Sequence, residues 1–254
     1  MTEYHSPDAL RQVSSLSAWA AEPTRDLVIL AEGNASFKVG TSMLVKGSGA
    51  AMGSGGIAEF VEVDRTRLSA LLDGGERADH EVAAELMAAR SWGVRRPSVE
   101  TLLHVVCQSF DAVSAVLHTH PTPVNALLCS TVAELLVSGS YFPDQIVTLG
   151  TNSMLVPYTD PGLPLAQLVQ SMIVEHVKHS GATPKVVYLK NHGMFALGGT
   201  VAEAVQITQM AVKTARVILG AASVGAVVPL ARKHACRIDT RPDEVLRRAE
   251  LRES

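Results

Sequence analysis

Residues 112–120 read Ala112-Val113-Ser114-Ala115-Val116-Leu117-His118-Thr119-His120, a short apolar run closed by two histidines. Its length and its valines make it a buried strand. Side chains alternate faces along a strand, so His118 and His120 point the same way. That arrangement offers two imidazole nitrogens to one metal ion. The best candidate for a third is His192, in Leu189-Lys190-Asn191-His192-Gly193-Met194, where a strand ends and Gly193 frees the chain to turn. Three histidines with a position left open make a catalytic zinc site, because structural zinc is closed by four protein ligands. No cysteine stands beside these histidines, which agrees. An isolated His-x-His strand can also be ordinary core. Metal-binding β-barrels that use the pattern want a glutamate soon after it, where this chain has Pro121, Thr122, Pro123, Val124 and Asn125.

Working outward, helices are expected at 7–22 (Ser6 capping, Pro7 opening), 79–91, from Ser98 after Pro97, at 123–136, 163–179 and 200–219, with a short one capped by Asp64. Strands are expected at 27–31, 42–46, 58–63, 112–120, 145–149, 153–157, 185–190 and 194–197. A glycine-rich loop runs from Lys46 to Gly56. Several strands lie close enough to pair as hairpins, and there is no strict βαβ rhythm. The reading is α/β: a mixed or antiparallel sheet covered by helices, in one domain over 1–254. The charged tail, about 236–254, is peripheral or an exchanged arm.

Composition narrows the function. Hydrophobic residues make up 47% and charged residues 19% of 254, which excludes disorder and leaves ample core. The net charge of −3, without a basic block, removes the electrostatic footprint of a nucleic-acid binder. With 4% aromatics there is no base-stacking platform either. The start, MTEYHSPDAL, has no secretory pattern, and the most apolar stretch, Val217 to Leu230, is broken by Gly220 and Gly225. Cys107, Cys129 and Cys236 are odd in number and widely spaced, as in a reduced cytoplasmic protein.

Glu100 falls in the first turn of the helix after Pro97. It is either a catalytic carboxylate or a helix-dipole and capping residue. Gly33-Asn34-Ala35-Ser36 and Lys46-Gly47-Ser48-Gly49 carry backbone donors and small hydroxyls of the kind that cradle anions, and Ser98 near a helix start adds another. His104, four residues after Glu100, either orients it or packs. His5, His80, His176, His179 and His234 read as surface or core residues.

GNAS, MLVKGSG, PSVETLLH, AVLHTHP and LKNHGMFALG occur in the order and spacing of the class II aldolase/adducin family, over roughly residues 8–220. The chain resembles its fuculose-phosphate and rhamnulose-phosphate aldolases. The resemblance implies a three-layer α/β/α sandwich on a mixed, largely antiparallel sheet, assembled as a homotetramer. It implies Zn2+, or another divalent cation such as Mn2+ or Co2+, on His118, His120 and His192, and an acid/base at Glu100. It implies sugar-phosphate contacts at Gly33, Asn34, Ser48, Gly49 and Ser98. Val99 stands where the family has a second serine, and Lys46 where the fuculose enzymes have a small residue.

The activity so implied is that of a carbon–carbon lyase (an aldehyde-lyase) acting on a ketose 1-phosphate or related sugar phosphate through a zinc-stabilised enediolate. Tyr141, downstream of the His-x-His motif, is the candidate phenol acid, acting across a subunit boundary; it also reads as a structural tyrosine. Three alternatives use the same framework. A decarboxylase of a 3-oxo sugar-acid phosphate would pass through the same enediolate. A sugar-phosphate 4-epimerase carries aspartate where Glu100 stands. A non-catalytic adducin-like domain has typically lost the histidines that this chain keeps.

Overall fold

The structure, a computed structural model, describes residues 6–54 and 56–253. His5, and Gly55 of the glycine-rich loop, lie outside the described residues. The strands are β1 (Asn34–Val39), β2 (Ser42–Lys46), β3 (Phe60–Asp64), β4 (Arg90–Trp92), β5 (Ala115–Thr119), β6 (Met154–Val156), β7 (Val186–Leu189) and β8 (Gly193–Gly198). They form one sheet in the order β4-β3-β2-β1-β5-β8-β7-β6. Every neighbouring pair is antiparallel except β6 and β7.

The helices are α1 (Pro7–Ala20), α2 (Arg65–Leu72), α3 (Asp79–Ala89), α4 (Thr101–Gln108), α5 (Thr122–Leu128), α6 (Pro143–Leu149), α7 (Leu163–Ser180), α8 (Val201–Val224), α9 (Arg232–Thr240) and α10 (Pro242–Glu253). They cover both faces of the sheet, giving the expected α/β/α sandwich with two cores. One packs α2, α3, α4 and α7 against Val45, Val63, Val116, Phe195 and Leu197. The other packs α1, α5 and α8 against Ala35, Leu44, Leu117, Tyr188 and Met194. The period of two along β5 chooses the face for its first histidine: Val116 faces the α4 side, so His118 does too.

Asp64 caps α2 as expected, its carboxylate accepting from the Thr66 and Arg67 amides at 2.8 and 3.2 Å. Ser6 precedes α1 but makes no side-chain capping bond.

Two expected strands are not strands. Residues 27–31 form a loop in which Leu30 takes φ +53° and is 87% exposed. The first strand is instead 34–39, whose composition reads as a connector. Its small polar residues disguise a central strand, flanked by β2 and β5, whose Ser36 reaches under α4. Residues 145–149 belong to α6. Pro143 opens that helix with a preset φ and Gly150 follows it, so local β propensity loses to helix-end signals. The helix expected over 123–136 breaks after Leu128 and resumes as a 3₁₀ turn at Ala133–Leu136. The tail folds back on its own chain: α9 and α10 pack on α6, with Arg247 paired to Asp144 at 2.9 Å and Arg248 donating to the Val147 carbonyl. No helix among the described residues is long and apolar enough to cross a membrane.

Candidate metal and acid/base site

His118 is fully buried on β5, between Asn34 of β1 and Phe195 of β8. Its ring stacks on Phe195 with centroids 4.1 Å apart, and its Nδ1 lies 3.0 Å from the Met194 carbonyl. A carbonyl only accepts, so Nδ1 carries a proton, which leaves Nε2 as the atom turned toward the other histidines and Glu100. His120 lies just past the strand end. Its amide donates to the Leu27 carbonyl at 2.8 Å, and its Nδ1 meets a carboxylate oxygen of Glu32 at 3.1 Å.

His192 sits in the turn between β7 and β8. Asn191, at φ +56°, rather than Gly193, supplies the left-handed residue of that turn. Gly193 provides room instead: a Cβ there would come within 2.5 Å of the His120 ring and 2.7 Å of the Thr119 carbonyl.

One nitrogen from each of His118, His120 and His192 lies within 4.8 Å of the others. The Nε2 atoms of His118 and His120 are 2.9 Å apart. Burial, with the neighbouring charges of His118 and His192, pushes His120 down to about 3, so it is neutral near pH 7. With both Nδ1 atoms turned to oxygen acceptors, the two Nε2 atoms converge across that gap, where a cation would take the place of a proton between the rings. The donor set therefore fits a divalent metal, and all-imidazole ligation suits zinc.

Glu100 stands immediately before α4 and makes no capping bond, so its carboxylate is not a helix cap. It turns to the histidines instead. Oε1 lies 3.1 Å from His192 Nε2 and 3.4 Å from His118 Nε2, while Oε2 accepts from the Asn34 amide at 2.5 Å. Burial alone would raise its pKa. The charges and hydrogen bonds of His118 and His192 outweigh that and hold the carboxyl well below the usual carboxylate range. An ionised carboxylate thus adjoins the nitrogen cluster.

The proposed anion segments differ in what they offer. Gly33 has φ +72°, and a Cβ there would press on Val28 and the His118 carbonyl, so its glycine serves close packing. Asn34 gives its amide to Glu100. The Ser48 amide donates to the Arg96 carbonyl at 2.8 Å, whereas Gly49, at φ +74°, faces open space. The Ser98 hydroxyl is buried without a hydrogen-bond partner. Lys46 is buried, donating to the Ala31 and Ala50 carbonyls at 2.9 and 2.7 Å. Burial lowers its pKa, and the charges of Glu100 and Glu59 act against that.

The sequence profile of the Class II Aldolase and Adducin N-terminal domain matches residues 13–219. The chain belongs to that family. Solved structures of similar fold include YgbL from Klebsiella pneumoniae, described as a candidate aldolase, epimerase or decarboxylase. It is 18% identical, with TM-score 0.71 over 93% of this chain and 100% of that one. An L-fuculose 1-phosphate aldolase is 19% identical, with TM-score 0.69 over 94% and 98%. The N-terminal class II aldolase domain of a Thermoplasma acidophilum protein is 23% identical, with TM-score 0.66 over 86% and 96%. No curated protein matches the sequence.

In this class II aldolase-family chain, His104 packs rather than orienting Glu100. Its Nδ1 is 2.7 Å from the Ser36 hydroxyl, its ring meets Phe195 edge-on, and burial pushes it down to about 3. His80, His179 and His234 are exposed and His176 is partly so. Tyr141 is grouped with its own neighbours: its hydroxyl donates to the Leu135 carbonyl at 2.5 Å and its amide to Gln145. Sequence reasoning missed Glu32 and the Asn34–Glu100 bond. The missing signal was the loop conformation of 27–33, which no periodicity encodes.

Proposed function

We propose that this chain is a divalent-metal-dependent lyase that cleaves a ketose 1-phosphate, or a related sugar phosphate, by a retro-aldol reaction. The observation that carries the reading is the ionised Glu100 placed against three convergent histidine nitrogens. His118, His120 and His192 would hold the cation, with Zn2+ first and Mn2+ or Co2+ as substitutes. Bound there, it would act as a Lewis acid toward the substrate's carbonyl oxygen.

The chain's own groups do the rest. Glu100 takes a substrate hydroxyl proton and returns it to the enediolate carbon left by cleavage; in the aldol direction it removes that proton. Asn34 holds the far oxygen of Glu100 and fixes which oxygen faces the substrate. Gly33 keeps the backbone of Asn34 close to β5. Ser48, Gly49 and Ser98 form the phosphate contacts, Gly49 through its free approach and Ser98 through its unpartnered hydroxyl. In the assembled protein, Tyr141 serves a neighbouring protomer's site, for which its phenol must leave the Leu135 carbonyl.

The test is product analysis on a panel of ketose 1-phosphates and 3-oxo sugar-acid phosphates. The expected result is an aldehyde plus a three-carbon ketone phosphate from one ketose phosphate. Release of CO2 from an oxo-acid, with no aldehyde formed, would replace the aldolase by the decarboxylase on the same residues. No turnover with any divalent cation across both classes would defeat the enzyme reading.

We also propose a homotetramer with the site beside a subunit boundary. Ile29, 66% exposed, lines a cleft of about 440 Å³ that also takes in His120. The support for this assembly is the family resemblance. Light scattering at micromolar concentration is expected to give four times the chain mass; a monomer there would rule the assembly out.

A further inference from the structure

We propose that Glu32 is a positioning residue that fixes His120 as a metal ligand, so that metal affinity depends on a carboxylate outside the histidine set. The inference rests on the reading that a divalent cation sits among His118, His120 and His192. An imidazole can offer either nitrogen, and the hydrogen bond made by one decides which is free. Glu32 Oε2 lies 3.1 Å from His120 Nδ1. A carboxylate oxygen at that distance accepts from Nδ1, which leaves Nε2 as the nitrogen free to ligate. Nε2 is the atom that faces the His118 ring at 2.9 Å. His118 gets the same service from the Met194 carbonyl, which no side-chain substitution removes. His120 gets it from Glu32.

The loop that carries Glu32 is held for this purpose at several points. The Glu32 amide donates to the Ile29 carbonyl at 3.1 Å, closing a turn. Leu30 within that turn has φ +53° while its side chain is 87% exposed. A non-glycine residue in the left-handed region is strained, and within the chain this one has no packing to offset it. Lys46 clamps the Ala31 carbonyl from below at 2.9 Å. His120 itself ties its amide to the Leu27 carbonyl at 2.8 Å. Gly33 seats the far end of the loop against the His118 carbonyl, where any side chain would collide. The loop is thus fastened at both ends to the strand terminus it serves, and its strained residue turns Glu32 onto the ring. An ordinary surface ion pair would need none of this support.

The experiment is Zn2+ titration of the metal-stripped full chain against a competing chromophoric chelator, for wild type, Glu32→Gln and Glu32→Ala. Glu32→Ala is expected to bind Zn2+ about 10–100-fold more weakly. Glu32→Gln is expected to fall between, since its amide oxygen still accepts from Nδ1 without the charge. The visible bands of the Co2+ form should shift in Glu32→Ala, while the thermal midpoint of the metal-free protein stays at the wild-type value. Wild type binding no Zn2+ would bring down the metal-site reading and this inference with it. Wild type binding tightly, with both variants equal to it, would overturn the role of Glu32 alone. A loss of affinity matched by a drop in the metal-free midpoint would also overturn it, in favour of a structural role.

Discussion

Glu100→Gln is expected to lower turnover by about 10²–10⁴-fold while the metal stays bound and the fold stays intact. The geometry allows this separation. Glu100 Oε2 accepts from the Asn34 amide, and Oε1 lies against the Nε2 atoms of His192 and His118. Glutamine can keep both sets of contacts: its carbonyl oxygen accepts from Asn34, and its amide group faces the imidazole nitrogens. What it cannot do is accept a proton from a substrate hydroxyl and return it to carbon. The side chain makes no capping bond to α4, so no helix-end stability is removed with the charge. The checks are kcat on the true substrate, solvent-deuterium incorporation at the enediolate carbon, and metal content. Near-wild-type kcat would remove Glu100 from the chemistry. Loss of metal together with activity would mean that the carboxylate is itself needed to hold the ion.

The sandwich was legible because its signals are periodic. The alternation along 112–120 placed His118 on a definite face, and the same alternation puts that face under α4, where Glu100 begins. The long helices at 163–180 and 201–224 carry enough turns for their apolar stripes to stand out. What failed was short and set by tertiary packing. Ile146-Val147-Thr148-Leu149 has strand composition, yet Pro143 and the contacts of α9 and α10 make it helix. Asn34 to Val39 looks like a polar connector, because a central strand that meets a buried histidine carries Ser36 where an apolar residue would be usual. The histidine triad could be proposed from spacing and resemblance. The carboxylate behind His120 could not, because Glu32 reaches it only through a strained turn, and a single left-handed residue leaves no pattern in the sequence. Family resemblance assigned Asn34 to the phosphate; the bond from its side-chain nitrogen to Glu100 left no mark in the sequence either.

His192→Ala is expected to strip the metal and to reduce turnover at least as far as Glu100→Gln does. His192 is the cleanest of the three histidines to remove. His118 is fully buried and stacked on Phe195, so its loss would open a core cavity and confound metal loss with unfolding. His192 sits on a turn whose backbone is held independently, by the Leu189 carbonyl accepting its amide and by the Asn125 side chain donating to its carbonyl. Its ring is slightly open to solvent, so water can fill the space it leaves. Two imidazoles then remain, too few for a catalytic site that takes three protein ligands. Lewis-acid stabilisation is worth several kcal/mol, and each ~1.4 kcal/mol is tenfold in rate, so the loss should reach about 10²-fold or more. The two variants then divide the site between them. Glu100→Gln keeps the metal and loses proton transfer, whereas His192→Ala loses the metal with Glu100 still in place. Elemental analysis after gel filtration, beside kcat on the same samples, reads that division directly. A His192→Ala protein that retained stoichiometric metal and turned over normally would show that the ion is held by other residues.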